Sequence, residues 1–374
     1  MKTYISDTAL ITSLGFSPAE NFEALKENKT GLKRQEKYGR QFYTSTVDDG
    51  VLEKNFRKEF GDENFTRLEK MLMLCLKELT KLRTISEKSL LVLSTTKGNV
   101  SLLQNNSEAP AESYLGVMAK KIADFFGFTL TPLVVSNACV SGVMAVSVAQ
   151  SMIKSGYCSD AFVIAGDEVT DFVLSGFSSF QAMSSEPCRP YDKNRDGISI
   201  GEAAAAVYIT NEKPATSISF EILGQSSIND ANHISGPHRE GEGLYRSINN
   251  ALEEAGIAAS EIDYISAHGT ATVYNDEMES YAFSRVGLSK IPLNSLKSYY
   301  GHSLGASGLL ELIMAAESAK NNLLIKNLNF EESGVSLPLN IISENTEKEV
   351  NIFLKTASGF GGSNSAIILK KIGG

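Results

Sequence analysis

Cysteine and histidine are both scarce in this sequence, and neither is spaced as a metal site or a disulfide framework. The four cysteines among 374 residues, Cys75, Cys139, Cys158 and Cys188, include no CxxC pair. That excludes zinc-ribbon patterns and stapled secreted scaffolds, and it suits a reducing compartment. Long basic blocks are missing too, and the net charge is -9, which argues against nucleic acid as the main partner. Two short basic clusters, Lys33, Arg34, Lys37, Arg40 and Lys54, Arg57, Lys58, Arg67, Lys70, read as solvated surface. No apolar run approaches the length of a bilayer span, and the N-terminal MKTYISDTALITSLG lacks an apolar stretch followed by a cleavage site. The expectation is a soluble cytoplasmic protein of one large or two medium domains.

What the sequence does contain is alternation of strand and helix. Residues 3 to 14 read as a strand, and Ser17-Pro18 opens a helix through about Lys26 by a cap and a first-turn proline. Residues 32 to 60 are polar and weakly periodic, and read as a surface excursion. LEKMLMLCLKELTKL, within 66 to 82, is an amphipathic helix with Cys75 on its apolar face. Then come an apolar strand at 90 to 94, a helix near 114 to 126 and a continuous apolar strand AFVIAG. This pattern predicts an α/β fold with a largely parallel sheet covered on both faces. Residues 175 to 200 read as a long loop of polar and aromatic residues, the kind that carries function. The strand at 203 to 210 closes a first half, and 211 to 217 is the boundary.

Within the first half, VVSNACVSGVMAVSVAQSMIK runs from an apolar strand into a helix with no polar face, which places that helix centrally. Cys139 stands at the junction. Unpaired N–H groups at a helix start stabilise a thiolate or an oxyanion, so this position suits a nucleophile. The second half repeats the theme: SGLLELIMAAESAKNN at 307 to 322 lines up with SGVMAVSVAQSMIKSG at 141 to 156, and GSNSAIILKK with GEAAAAVYIT. An internal duplication is expected.

Two of the four histidines lie in SAHGTATVYNDEMES (His268) and NSLKSYYGHSLGASG (Lys297, His302), each at an expected strand end, where α/β sheets place their sites. His233 and His238 lie in a polar stretch and are given no catalytic role. Cys139, His268, His302 and Lys297 form the candidate catalytic set.

NACVSG, HGTAT, KSYYGHSLGASG and GFGGSN at 359 to 364 resemble the β-ketoacyl-carrier-protein synthases of the Cys-His-His type. RPYDKNRDGISIGE and NDANHISGPHREGEG resemble further signatures of the same family, so the resemblance runs essentially end to end. It implies a thiolase-like five-layer αβαβα fold from two duplicated halves, 1-212 carrying the nucleophile and 213-374 carrying the histidines. It also implies decarboxylative Claisen condensation: Cys139 accepts an acyl group, malonyl-carrier protein loses carbon dioxide, and His268 and His302 donate to the enolate oxygen. By the same resemblance the N–H groups of Cys139 and Phe360 form an oxyanion hole. Lys297 orients His302, and Phe360 is a gate freed by Gly359 and Gly361. Thr270 and Thr272 hold the phosphopantetheine arm, and Asn364 supports the gate loop. No metal and no resident cofactor are expected. The partners are an acyl carrier protein and a second subunit, identical or related.

Departures from the family pattern include a shortening within residues 45 to 100, Thr272-Val273-Tyr274-Asn275 after the first histidine motif, Gly201-Glu202-Ala203, and Tyr299-Tyr300, which are expected to crowd the entrance to His302. These favour a specialised fatty-acid, polyene or polyketide pathway over housekeeping elongation. A thiolase would need a second cysteine in the C-terminal glycine loop. A chain-length-factor-like subunit normally lacks the nucleophile, and a Cys-His hydrolase leaves Lys297, the second histidine and the glycine gate without a purpose.

Overall fold

The computed structural model describes residues 1–37, 39–104, 108–214, 218–230, 232 and 236–373. His233 lies outside the described residues, as does part of the 211 to 217 boundary. Ten strands form one sheet: β1 (Tyr4–Ile11), β2 (Ser89–Ser94), β3 (Leu133–Val135), β4 (Asp160–Asp167), β5 (Ala203–Thr210), β6 (Ser219–Asn229), β7 (Tyr264–Ser266), β8 (Leu293–Asn294), β9 (Ile352–Gly359) and β10 (Ser363–Ile372). Their order across the sheet is β8-β7-β9-β10-β6-β1-β5-β4-β2-β3.

That order contains the duplication. From the centre outwards, the first five strands run 1-5-4-2-3, and the second five run in the same order from β6. In both halves the second, third and fourth strands are parallel and the fifth is antiparallel to its neighbours. The halves join where Tyr4 and Ile5 pair with Glu221 and Phe220.

The helices are α1 (Pro18–Lys26), α2 (Asp49–Phe60), α3 (Arg67–Leu82), α4 (Leu115–Phe126), α5 (Ser141–Lys154), α6 (Asp171–Ser179), α7 (Glu242–Ala255), α8 (Val273–Val286), α9 (Lys297–Tyr300) and α10 (Ser307–Asn321). Strand side chains alternate between faces, and this sorts the layers. Leu91 and Leu93 face α3 and α4, whereas Leu90 and Val92 face the middle layer of α5 and α10. On the second half, Ile367 and Leu369 meet the same middle layer, and Ala366 and Ile368 meet α7 and α8. The result is five layers, with two sheet halves enclosing a pair of helices. Most residues of those two helices are buried, and apolar side chains dominate the positions that meet the two sheet halves.

Local signals set the outer helices. Ser17 caps α1, with Pro18 in its first turn, and Thr66 and Glu69 form a capping box on α3. Leu68, Leu72, Cys75 and Leu79 then recur at helical spacing on the buried face of α3.

Three sequence expectations are corrected. The sheet is mixed rather than largely parallel, because the fifth strand of each half and the central pair run antiparallel to their neighbours. Residues 32 to 60 are not an irregular excursion: Lys33–Lys37 and Arg40–Ser45 pair as a hairpin, and α2 packs Leu52 and Phe56 into the core beside α3. Their apolar positions are few, so periodicity alone underweighted them. The stretch from 175 likewise opens inside α6, and only the part after Ser179 is largely irregular. In the basic clusters, Arg34 meets Glu36 at 2.6 Å, Lys70 meets Glu53 at 2.5 Å, and Arg67 meets both Asp49 and the buried Glu202 at 2.6 Å. Among the described residues, no helix is long and apolar enough to cross a membrane.

Candidate active site

The middle layer creates the site because both of its helices start with the same sharp bend. Ala138 and Leu304 each lie three residues before the helix and take positive φ of 43° and 50°, a conformation that costs a non-glycine residue about 1 kcal/mol or more. Asn137 N–H then donates to Ser141 Oγ at 2.7 Å, and Ser303 N–H to Ser307 Oγ at 2.9 Å. The bend in the first half presents Cys139, and the bend in the second presents His302 just before it. The helices cross tightly at Gly142 and Gly308, where a Cβ would stand 2.8 Å from Gly305 O and from Val143 Cγ2 respectively. This crossing brings the two bends together.

His302 Nε2 lies 3.0 Å from Cys139 Sγ, and His302 Nδ1 lies 2.8 Å from Ser307 Oγ. Ser307 Oγ already accepts from Ser303 N–H and can pass its own proton to Ser303 Oγ at 3.2 Å. The network accommodates the proton on Nδ1, and in that tautomer Nε2 accepts from the thiol. Burial pushes the Cys139 thiol up to about 11; Lys297, Lys97 and the Phe360 N–H pull the other way. Burial, with Lys297 and Lys355 nearby, also pushes His302 well below its ordinary range. Desolvation thus opposes the charge of the helix start, and burial shifts both the thiol and the imidazole towards their neutral forms.

His268 follows β7, and its ring stands 5.4 Å from that of His302, nearly perpendicular. Lys297 Nζ lies 3.4 Å from His268 Nδ1. An ammonium can only donate, so this contact assigns the His268 proton to Nε2. Burial first, then Lys297, His302 and Lys355, keep His268 well below its usual range. The ligand-type atoms of Cys139, His268 and His302 all lie within 4.8 Å of one another. Lys297 contacts His268 rather than His302, and its carboxylate partner is Glu311 at 2.6 Å, not Glu279. Glu279 instead accepts from the N–H groups of His268 and Gly269 at 2.9 and 2.7 Å and from Tyr191 Oη at 2.9 Å, fixing the loop.

The gate residues sit on the tip between β9 and β10. Gly359 pairs with Ser363, leaving Phe360, Gly361 and Gly362 to turn the chain, with the two glycines at φ of 83° and 78°. A Cβ at Gly359 would stand 2.9 Å from Cys139 N, so only glycine lets this hairpin lie against the amide of the nucleophile. Phe360 stacks on Phe177 at 5.8 Å and meets Phe180 edge-on at 5.5 Å. Asn364 braces the turn: its Nδ2 donates to Gly362 O at 3.0 Å, and its Oδ1 accepts from Ser358 Oγ at 2.8 Å.

A pocket of about 340 Å³ joins these parts and is lined by Cys139, both histidines, Phe360, Thr270 and Thr272. The two threonine hydroxyls are 2.8 Å apart. Tyr274, 78% exposed, stands at its mouth. Tyr299 and Tyr300 do not crowd this entrance; both are buried in the middle-layer core. Cys188 is buried with Sγ donating to Lys297 O at 3.2 Å, and Cys75 and Cys158 are buried and free.

Sequence reasoning missed Glu311, Lys355, Ser307 and the aromatic pair Phe177 and Phe180. The first two carried a signal. Glu311 is the one acid in the apolar run SGLLELIMAA, and Lys355 the one base in IFLKTAS. A lone charge in a buried element needs a partner.

Comparison with known proteins agrees with this arrangement. The sequence model of the beta-ketoacyl synthase N-terminal domain matches residues 85–215, and that of the C-terminal domain matches residues 219–331. The chain is 35% identical over 257 residues to 3-oxoacyl-[acyl-carrier-protein] synthase 2 of Rhizobium meliloti (strain 1021), covering 64% of this chain and 61% of the relative. It is 31% identical over 279 residues to a putative mitochondrial 3-oxoacyl-[acyl-carrier-protein] synthase of Schizosaccharomyces pombe, covering 69% and 65%. The matched region thus spans less than two thirds of these curated relatives. A solved ketosynthase in complex with its chain length factor, from Xenorhabdus doucetiae, superposes with a TM-score of 0.86 at 24% identity over 99% of this chain and 98% of that one, which speaks to the fold. With paired domain models over well over half of its length and a thiolase-like fold around a Cys-His-His site, the chain belongs to the β-ketoacyl synthase family.

Proposed function

We propose that this protein catalyses decarboxylative Claisen condensation between an acyl group held on Cys139 and malonyl-acyl carrier protein, giving a β-ketoacyl-carrier protein. The observation that carries this reading is the meeting of three groups: His302 Nε2 lies 3.0 Å from Cys139 Sγ, and His268, with Lys297 Nζ 3.4 Å from its Nδ1, is left to donate from Nε2.

In acyl transfer the Cys139 sulfur attacks the thioester carbonyl as its proton passes to His302. The oxyanion takes hydrogen bonds from the Cys139 and Phe360 N–H groups. Collapse expels the carrier thiolate, which recovers the proton from His302. In condensation the malonyl carboxylate leaves as carbon dioxide, and its bonding electrons become an enolate. The enolate oxygen accepts from His268 Nε2–H. His302 can add a second bond, because Ser307 is a hydroxyl and can equally donate to Nδ1, permitting the other tautomer. The enolate carbon then attacks the Cys139 thioester, the carbon–sulfur bond breaks, and Cys139 takes up one proton.

On this reading Thr270 and Thr272 hold the phosphopantetheine arm, and Phe360 admits the chain. The enzyme brings no cofactor of its own and works in the cytoplasm. The first half, 1-212, supplies the nucleophile and 213-374 the histidines. The working unit is a dimer with itself or with a related synthase subunit. The aromatic mouth of Phe180 and Tyr274 favours a specialised fatty-acid, polyene or polyketide substrate.

The test is intact mass after incubation with short saturated, long saturated, polyunsaturated and aryl-primed acyl-carrier proteins. An adduct that disappears in Cys139→Ala is the expected result, and the best-loading chain names the substrate class. Absence of any adduct, with malonyl-carrier protein also present, rules out condensation by this chain alone.

A further inference from the structure

Beneath the histidine pair lies a cluster of which the chemistry above uses only Lys297. Lys355, on β9, is fully buried beside Ser266 on β7, its partner in the sheet register. Its ammonium donates to Ser266 O at 3.2 Å, Ala267 O at 3.1 Å and Glu311 Oε2 at 2.5 Å. Lys297, arriving from α9, donates to His268 O at 2.5 Å, Glu311 Oε1 at 2.6 Å and His268 Nδ1 at 3.4 Å. The two lysines therefore share one carboxylate and between them hold three consecutive carbonyls, those of residues 266, 267 and 268.

A buried lysine has three protons to satisfy, and each of these finds three acceptors. The stoichiometry is unusual. One carboxylate between two ammoniums leaves a net positive charge directly under the site, and a simple structural ion pair would need only one lysine. Lys355 also relieves Lys297: it takes the second oxygen of Glu311 and the two carbonyls leading into His268, so Lys297 can spend a donor on the imidazole.

Building on the condensing-enzyme reading, we propose that Lys355 is a positioning residue for His268. It clamps the carbonyls that lead into the histidine and shares Glu311 with Lys297, so that the site keeps one net positive charge and His268 presents a proton at Nε2.

Among the described residues, the charged and titratable groups facing this cluster are Lys297, Glu311, His268 and His302, with Glu279 also acting on Lys355, Tyr191 and Tyr264 facing Glu311, and Cys139 and Cys188 facing Lys297. Burial lowers both imidazoles first, and the two ammoniums lower them further. Removing Lys355 removes a cation and leaves Glu311 matched one to one, which favours the protonated imidazole. The His268 titration midpoint should rise. A neutral His268 is what a donor to an enolate oxygen needs beside a neutral acceptor His302; an imidazolium would lose its hydrogen bond from Lys297.

The experiment is a histidine NMR titration of the whole chain, made tractable by only four histidines. In Lys355→Met the His268 midpoint should move up by about one pH unit. Adding Glu311→Gln restores the net positive charge and should bring it back towards wild type, although that double variant has lost still more structural contacts. Malonyl decarboxylation by Lys355→Met should fall about tenfold in kcat with KM held. An unmoved midpoint in Lys355→Met, or no return in the double variant, overturns the proposal. Should Lys355→Met not fold, Lys355→Arg should leave the midpoint in place and Glu311→Gln alone should lower it; an unmoved midpoint in Glu311→Gln equally overturns it. The titration needs no substrate. Failure of wild-type Cys139 to load any acyl group would therefore sink the condensing reading, and an unmoved His268 would sink only this one.

Discussion

The two bends at the starts of α5 and α10 share a backbone and differ in what they offer. At the position after the strained residue the first half has Cys139 and the second has Gly305. Cys139 faces the pocket and His302. Gly305 faces inward, its N–H donating to Asp167 Oδ2 at 2.8 Å, where a Cβ would also stand 2.8 Å from that oxygen. Asp167 accepts in addition from Thr95 Oγ1 and from the N–H groups of Thr96 and Lys97. The two halves supply equivalent bends; one offers a thiol to the pocket and the other ties the halves together. Backbone geometry at a helix start is thus not enough to make a reactive site. The partner across the helix pair decides it.

The serines behind the bends should separate most sharply. Ser307→Ala removes the acceptor that fixes His302, leaving Nδ1 unpaired in a buried site. Acyl loading of Cys139 should slow about 10- to 100-fold, corresponding to about 1–3 kcal/mol. Ser141→Ala removes the brace on Asn137 N–H and on Ala138 O; it should lower stability by about 1 kcal/mol, with a far smaller change in loading. Stopped-flow loading and thermal unfolding of both variants would check this, and equal rate losses would erase the distinction.

The crossing glycines come next. A methyl at Gly142 meets the backbone of Gly305 and Leu309 at 2.8 Å, whereas one at Gly308 meets first a Val143 methyl that can shift. Gly142→Ala should destabilise by about 1–3 kcal/mol and pull Cys139 away from His302. Gly308→Ala should cost less in denaturant unfolding. A reversed order would mean that the first-half helix gives way.

The smallest effect is in pH dependence. His268 and His302 are depressed in the native state, so below about 6.5 the unfolded chain binds protons that the folded chain refuses. Their contribution to stability is present above that pH and is lost as pH falls. Glu168 and Glu279 are pushed by burial up to about 7. They keep protons that the unfolded chain has lost above its usual 4.5, so their contribution falls as pH rises towards 7. One pair in the second half and one glutamate in each half therefore oppose each other. In His268→Ala/His302→Ala the decline of stability below pH 6.5 should be shallower in denaturant melts, and an unchanged slope would contradict the neutral histidine pair.

Much of this protein follows from local chemistry. Ser17-Pro18 and the Thr66/Glu69 box start helices wherever they occur. The unbroken apolar run Leu90 to Leu93 requires a sheet covered on both faces. The helices that begin at 141 and 307 are mostly apolar through their first turns, which suits a central place. Cys139, His268 and His302 stood out because each is a reactive residue type at an expected strand end or helix start, and the hairpin of Phe360 stood out only through its resemblance to the family motif. Four features depended on contacts between distant segments and had no local signature. These are the meeting of Cys139 and His302, 163 residues apart, at 3.0 Å, the contacts of Ser307 and Lys297 with the two imidazoles, the burial of Tyr299 and Tyr300 away from the entrance, and the sharing of Glu311 by two lysines. Only the tertiary structure fixed the protonation of Cys139. A helix start favours a thiolate and burial opposes it, and which prevails depends on how much water the crossing of α5 and α10 excludes.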